Sequence, residues 1–269
     1  LAHFRSPPIE GMPPLHGGLM GYLGYDVVRE VEDLPDTPPD DKGFPDGIMS
    51  IIGELVAIDH WRQRAILIVN VVVPPGADDA ALDSAYDQAV SRLQDLATDG
   101  ARPLDEPLME PPSIDDEPPE VTSSMGPELY GLAVEAAREH IFAGDVFQVV
   151  LSQRFDVELD AEPFDVYRVL RQLNPSPYMY FLRYADLSVV GASPEPMVRL
   201  LDGRVVSRPI AGTRRRGRTE ADDRRMAAEL VEDPKELAEH VMLVDLARND
   251  VGRVVEFGTE VVEEMMTLE

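Results

Sequence analysis

The chain has 269 residues and no cysteine, which excludes disulfides, thiolate nucleophiles and cysteine-ligated metals. Its hydrophobic share of 44% and charged share of 28% suit a globular protein that buries a core in one large domain or two unequal ones. A net charge of −27 repels phosphate backbones and sets nucleic acid aside as a partner.

From the start, Gly17-Gly18-Leu19-Met20-Gly21-Tyr22-Leu23-Gly24-Tyr25 sets four glycines among apolar residues, as in strands whose backbones approach closely. A Pro/Asp loop over Leu34–Pro45 follows. Gly47–Ala57 and Trp61–Val73 read as strands joined by a turn at Asp59-His60. The apolar run at 65–69 and 71–73 is far shorter than the roughly 20 residues a membrane helix needs, and its β-branching reads as a buried strand. No membrane partner is expected. The cysteine-free composition and the lack of a charged-then-apolar leader fit a reducing cytoplasm. Asp78–Ala97 has helical periodicity through Leu82, Tyr86, Val90 and Leu93.

Arg102–Pro127 holds seven prolines and seven acidic residues, a composition that forms no packed core. We therefore expect a first domain over 1–101, a linker over 102–126 and a second domain over 127–269. Gly126-Pro127-Glu128 starts a helix that stops at Gly144. Val146–Phe155 reads as a strand with Gln148, Val150, Ser152 and Arg154 on one face. Asp165–Leu173 is a short helix ended by Asn174-Pro175-Ser176-Pro177. Strands follow at Tyr178–Arg183, Ser188–Gly191, Met197–Leu201 and Arg204–Ser207, the last pair joined by an Asp202-Gly203 turn. Strands clustered between helices without regular alternation indicate an α+β fold with largely antiparallel sheets.

Chemistry concentrates late in the chain. Arg208-Pro209-Ile210-Ala211-Gly212-Thr213-Arg214 is a small-residue turn that exposes backbone N–H groups between two arginines, an arrangement suited to carboxylate ligands. Five arginines fall within Arg208–Arg218, either a solvated loop or an attractor of anionic substrate. Asp233-Pro234-Lys235-Glu236 then caps a helix running to Asp250. Glu236, Glu239, His240 and Leu243 share one of its faces. Two readings of Glu239 stand open: an internal ion pair, with Arg248 for instance, or a Mg²⁺ ligand. His240 reads as structural. Ser193-Pro194-Glu195-Pro196 holds an acid between prolines, a fixed carboxyl suited to general acid work or an ordinary loop. Asn174–Met179 either ends a helix or lines a pocket for a flat apolar ligand.

These segments, with Gly144–Val150, Gly191–Glu195 and Glu239–Asp250, together resemble the anthranilate synthase component I family of chorismate-utilising enzymes. Six stretches occur in family order. The resemblance implies Mg²⁺-dependent conversion of chorismate and ammonia to anthranilate and pyruvate, on an α+β fold like that of the family. It implies chorismate binding at Gly212 and Thr213, a Mg²⁺ ligand at Glu239, and Glu195 as the acid that protonates the departing hydroxyl. Gln148 stands where relatives that add water carry a Lys base, which favours amination. Pro177, Tyr178 and Met179 match the segment that holds the feedback inhibitor L-tryptophan, and Tyr178-Met179 separates the chain from aminodeoxychorismate synthase component I. Ammonia would come from a glutamine amidotransferase subunit, component II.

The family's upstream Leu-Leu-Glu-Ser motif, its catalytic His, its Gly-Thr-Leu-Ser-Gly-Ala-Pro-Lys-like loop and its second Mg²⁺ glutamate have no match in these residues. The chain is therefore expected to be the middle of the enzyme, with little activity alone. A non-catalytic ligand-binding or assembly module is the competing reading. The central spatial expectation is that the Gly212–Thr213 amides and the Glu239 carboxylate border one cavity.

Overall fold

Antiparallel strand pairs alternating with α-helices build the described part of this α+β chain. The structure is a computed structural model that describes residues 6, 7, 9–35, 37–104, 106–113 and 115–268. Residues 1 and 269, the outer limits of the expected domains, lie outside the described residues, as do 36, 105 and 114 within the expected loop and linker. The chain divides into two compact units, Leu1–Pro107 and Leu108–Glu269, so the division falls inside the Pro/acid-rich stretch.

In the first unit β1 (Leu19–Leu23) pairs with β2 (Gly47–Ile51), and β3 (Glu54–Asp59) with β4 (Arg64–Val69). The strand expected over 47–57 is thus divided at Gly53, and its halves join different partners. Gly21 shows why glycine is needed in β1: a Cβ there would overlap the Ile48 carbonyl of β2. Asn70 ties the two ribbons together. Its Nδ2 donates to the carbonyls of His16 at 2.9 Å and Ile52 at 3.2 Å. Helix α1 (Asp79–Gly100) is capped by Asp78, whose Oδ1 accepts from the Ala81 N–H at 2.9 Å, and it packs on β4. Trp61, expected in a strand, sits in the β3–β4 turn and is 92% exposed.

In the second unit β5 (Val121–Ser123) arises from the stretch expected to be linker and pairs with β6 (Phe155–Val157). Between them α2 (Pro127–Ala143) ends at Gly144 as its sequence indicates. The strand expected over Val146–Phe155 reduces to its last residue, which opens β6. Residues 146–154 are irregular and Phe147 is 83% exposed. A strand needs a ladder partner, and among the described residues that segment has none.

Helix α3 (Pro163–Leu173) covers the ribbon of β7 (Tyr178–Arg183) and β8 (Ser188–Ser193). Phe164 of α3 meets Phe181 of β7 with ring centroids 5.1 Å apart, and Tyr167 stands 6.0 Å from the same ring. Strands β9 (Arg199–Leu201) and β10 (Arg204–Val206) flank the Asp202-Gly203 turn. Two helices close the unit, α4 (Glu220–Glu232) and α5 (Pro234–Gly252). Helix α4 was not expected, although Thr219 signals it: its hydroxyl accepts from the Asp222 N–H at 3.2 Å.

The cores are open. Ile68, at 6% exposure, is the one buried apolar residue among the described residues.

Candidate functional site

The Arg208–Arg214 turn leaves β10 and lands on the first turn of α5. Gly212 stands in the left-handed region at φ 82°. A Cβ there would lie 3.0 Å from Leu230 Cδ1 of α4 and 3.1 Å from Glu236 Oε2 of α5. The turn therefore seats against both helices, where a side chain at this φ would be strained and the ends of Leu230 and Glu236 would have to give way by a few tenths of an ångström. The backbone N–H groups of Gly212, Thr213 and Arg214 meet no acceptor among the described residues. Successive unpaired donors of this kind suit an anion.

Arg214 fixes the seat. Its Nη2 donates to Asp233 Oδ2 at 2.7 Å and its Nη1 to Glu236 Oε1 at 3.1 Å. Asp233 is shared, because its other oxygen caps α5 by accepting from the N–H groups of Lys235 at 2.9 Å and Glu236 at 3.4 Å. Those amide bonds, and the Arg214 guanidinium beside them, hold the Asp233 carboxyl below its usual range. The Glu236 carboxylate raises Arg214 in turn. One residue pair on, Arg216 Nε donates to Asp223 Oδ2 of α4 at 2.8 Å, and the Gly217 N–H donates to the same carboxylate. The basic island is thus largely internal. Of its five arginines, Arg208 pairs with Glu264 at 2.9 Å, while Arg215 and Arg218 have no partner among the described residues.

A cavity of about 1150 Å³ adjoins this junction. Gly212, Arg208, Glu236 and His240 line it, with Val244 and Arg248 further along α5. Thr213 and Glu239 lie outside its walls. The structure does bring the turn and α5 together, but the carboxylate that faces Gly212 is Glu236, one helical turn before Glu239. Sequence reasoning grouped Glu236 with Glu239 by periodicity and missed its contact with the turn. The signal was Arg214, whose charge demands an acid nearby.

Glu239 is half-buried and makes no hydrogen bond or ion pair among the described residues. The internal pair with Arg248 is not formed, since Arg248 faces Asp245 at 3.7 Å. Among the described residues no three His, Asp or Glu side chains cluster in the manner of a metal cage. A hard cation that takes one or two carboxylates, waters and ligand oxygens still fits a lone unpaired glutamate.

Glu195 lies just past β8, where the Ser193 hydroxyl donates to its carbonyl at 2.9 Å. Its Oε2 is buried with no hydrogen-bond partner, the one such side-chain atom among the described residues. The β7–β8 register sets Tyr178 opposite Ser193 and Met179 opposite Ala192. Pro177, Tyr178 and Met179 therefore stand at the ribbon end that carries Glu195. Tyr178 is exposed, Met179 half-buried, and Gln148 exposed in the irregular segment after α2.

The family of chorismate binding enzymes matches the sequence over residues 3–269. The chain belongs to that family. It is 41% identical to anthranilate synthase component 1 of Acetivibrio thermocellus over 273 aligned positions, covering 100% of this chain and 54% of the relative. It is 44% identical to the component 1 of Mycobacterium tuberculosis strain H37Rv, covering 96% of this chain and 51% of that protein. In three dimensions it superposes on anthranilate synthase component I from Streptococcus pneumoniae TIGR4 with a TM-score of 0.77 and 32% identity, over 94% of this chain and 53% of the other. The chain thus spans about half the length of the relatives it matches. As a member of that family it has the expected α+β architecture, and the resemblance read from its six segments holds.

Proposed function

We propose that this chain supplies the chorismate cradle, the acid and one Mg²⁺ ligand of an anthranilate synthase component I, converting chorismate and ammonia to anthranilate and pyruvate. The observation that carries the reading is the row of free N–H groups at Gly212–Arg214, seated against α5 in a member of the chorismate binding family. Chorismate carries two carboxylates, and charge-assisted hydrogen bonds to such groups contribute roughly 1.5–3 kcal/mol each.

Gly212 and Thr213 hold the substrate through their amides. Glu239 would hold Mg²⁺, which supplies positive charge against a substrate carboxylate when bound. Glu195, with one oxygen buried and unpaired, donates the proton that leaves with the 4-hydroxyl as ammonia adds to the ring. Elimination of the enolpyruvyl group as pyruvate restores aromaticity. Gln148 supplies no base, and ammonia needs none. Pro177, Tyr178 and Met179 belong to a tryptophan site that lowers activity, and a glutamine amidotransferase subunit delivers the ammonia in the cytoplasm. The open ribbon edges and exposed apolar residues support reading the chain as one part of a larger catalytic fold, with little turnover alone.

The test is a chimera in which this chain replaces the matching segment of the Acetivibrio thermocellus component 1. Fluorescence of anthranilate formed from chorismate, Mg²⁺ and ammonium should reach within about tenfold of the parent. A folded chimera that binds no chorismate and forms no anthranilate contradicts the assignment.

A further inference from the structure

The geometry points to Arg214 as a positioning residue that latches the Gly212–Arg214 turn onto the first turn of α5 and sets the direction in which its amides face. This rests on the reading of that turn as the chorismate cradle.

Three contacts made by one guanidinium carry the inference. Besides Asp233 and Glu236, Arg214 Nη1 donates to the carbonyl of Thr213 at 3.0 Å. In a trans peptide the carbonyl of one residue and the N–H of the next point in opposite directions, and no cis peptide is present among the described residues. Holding the Thr213 carbonyl toward the guanidinium therefore turns the Arg214 N–H away from it, and away from the two carboxylates that would repel an anion. The planar fork of arginine does this in a way lysine cannot, because it presents several donors in one fixed plane.

The partners are themselves anchored. Asp233 is fixed by the amides it caps, and its side chain is 32% exposed, against 28% for Arg214 and 17% for Glu236. Glu236 Oε2 closes the space beside Gly212, so the turn is held from its carbonyl side and its Cα side at once. Glu239 lies three residues further along the same helix, and the latch therefore fixes the distance between amides and metal ligand. Without Arg214, Glu236 would lose its cationic partner and Asp233 would keep only the helix amides, both beside the proposed anion site.

The test uses the whole chain labelled for nuclear magnetic resonance, with Arg214→Ala, Arg214→Lys and Glu236→Gln. Residual dipolar couplings of the N–H groups at 212–214 should change in Arg214→Ala, while those of α1 and α3 stay as in the parent. Millimolar guanidinium should restore them. Arg214→Lys should recover only part of the effect. Chorismate with Mg²⁺, titrated in parallel, should bind about 10- to 100-fold more weakly to Arg214→Ala. If Arg214→Ala fails to fold, Glu236→Gln, which keeps the Asp233 bond, should show a smaller change at the same amides. Parental couplings at 212–214 in every folded variant would overturn the latch. Altered couplings in Arg214→Ala, together with a folded parental chimera that binds no chorismate, would support the latch and overturn the chorismate reading instead.

Discussion

Arg214 reaches the α5 cap Asp233 across 19 residues of chain, Nη2 to Oδ2 at 2.7 Å, and so joins the turn after β10 to the head of the helix that carries Glu239. The bond involves the same carboxylate that nucleates α5. Helix start and proposed anion cradle are consequently one structure.

That junction makes Gly212 more sensitive than an ordinary left-handed glycine. Gly258 has nearly the same backbone, φ 81° against 82°, but a Cβ there meets nothing within 4 Å. Gly258→Ala should cost about 1 kcal/mol for the backbone alone, and Gly212→Ala about 2–4 kcal/mol because Leu230 and Glu236 must also move. Urea denaturation of the two variants checks the difference.

Acid should loosen the same region. Asp233 is held low by the Lys235 and Glu236 amides, and Asp223 by Arg216 and the Gly217 N–H. A carboxyl depressed in the folded state contributes stability that is complete above its unfolded value, about 3.9, and is lost as pH falls through the folded value. The resonances of Arg214, Gly217 and the first turn of α5 should therefore stay constant above about pH 5 and shift below pH 4.

Asn70 should matter to the first unit alone. Asn70→Ala leaves the carbonyls of His16 and Ile52 without their donor and should destabilise by about 1–3 kcal/mol. Amide exchange should rise in β1–β4 and stay unchanged in α4 and α5.

Glu195 should show the opposite balance of stability and activity. Its buried Oε2 has no partner, so Glu195→Leu removes a desolvated oxygen and should leave thermal stability unchanged or raised. In the chimera, Glu195→Gln should lower kcat by about 10²–10⁴-fold with little change in chorismate affinity.

The helices were legible because their signals are local: Asp233 caps, Pro127 occupies the first turn, Gly144 ends α2 and the 78–97 stretch has apolar periodicity, although α3 begins two residues before the expected Asp165, at Pro163. Helix α4 escaped notice because its arginines and acids mask a sparse apolar face, although Thr219 marks its start. Strand pairing was less legible. Nothing local tells Gly47–Ile51 to join β1 rather than continue into β3, and Val146–Arg154 has strand-like alternation without a ladder partner among the described residues. At the site, composition located the turn and the helix. The choice of Glu236 over Glu239 as the residue facing Gly212 depends on how the turn lands, which periodicity does not encode.

The most direct test of the account is calorimetric titration of chorismate into the chimera, with and without Mg²⁺, comparing the parent with Glu239→Gln. Mg²⁺ should tighten chorismate binding at least tenfold in the parent and have little effect in Glu239→Gln. Equal Mg²⁺ dependence in both proteins, or none in the parent, would contradict it.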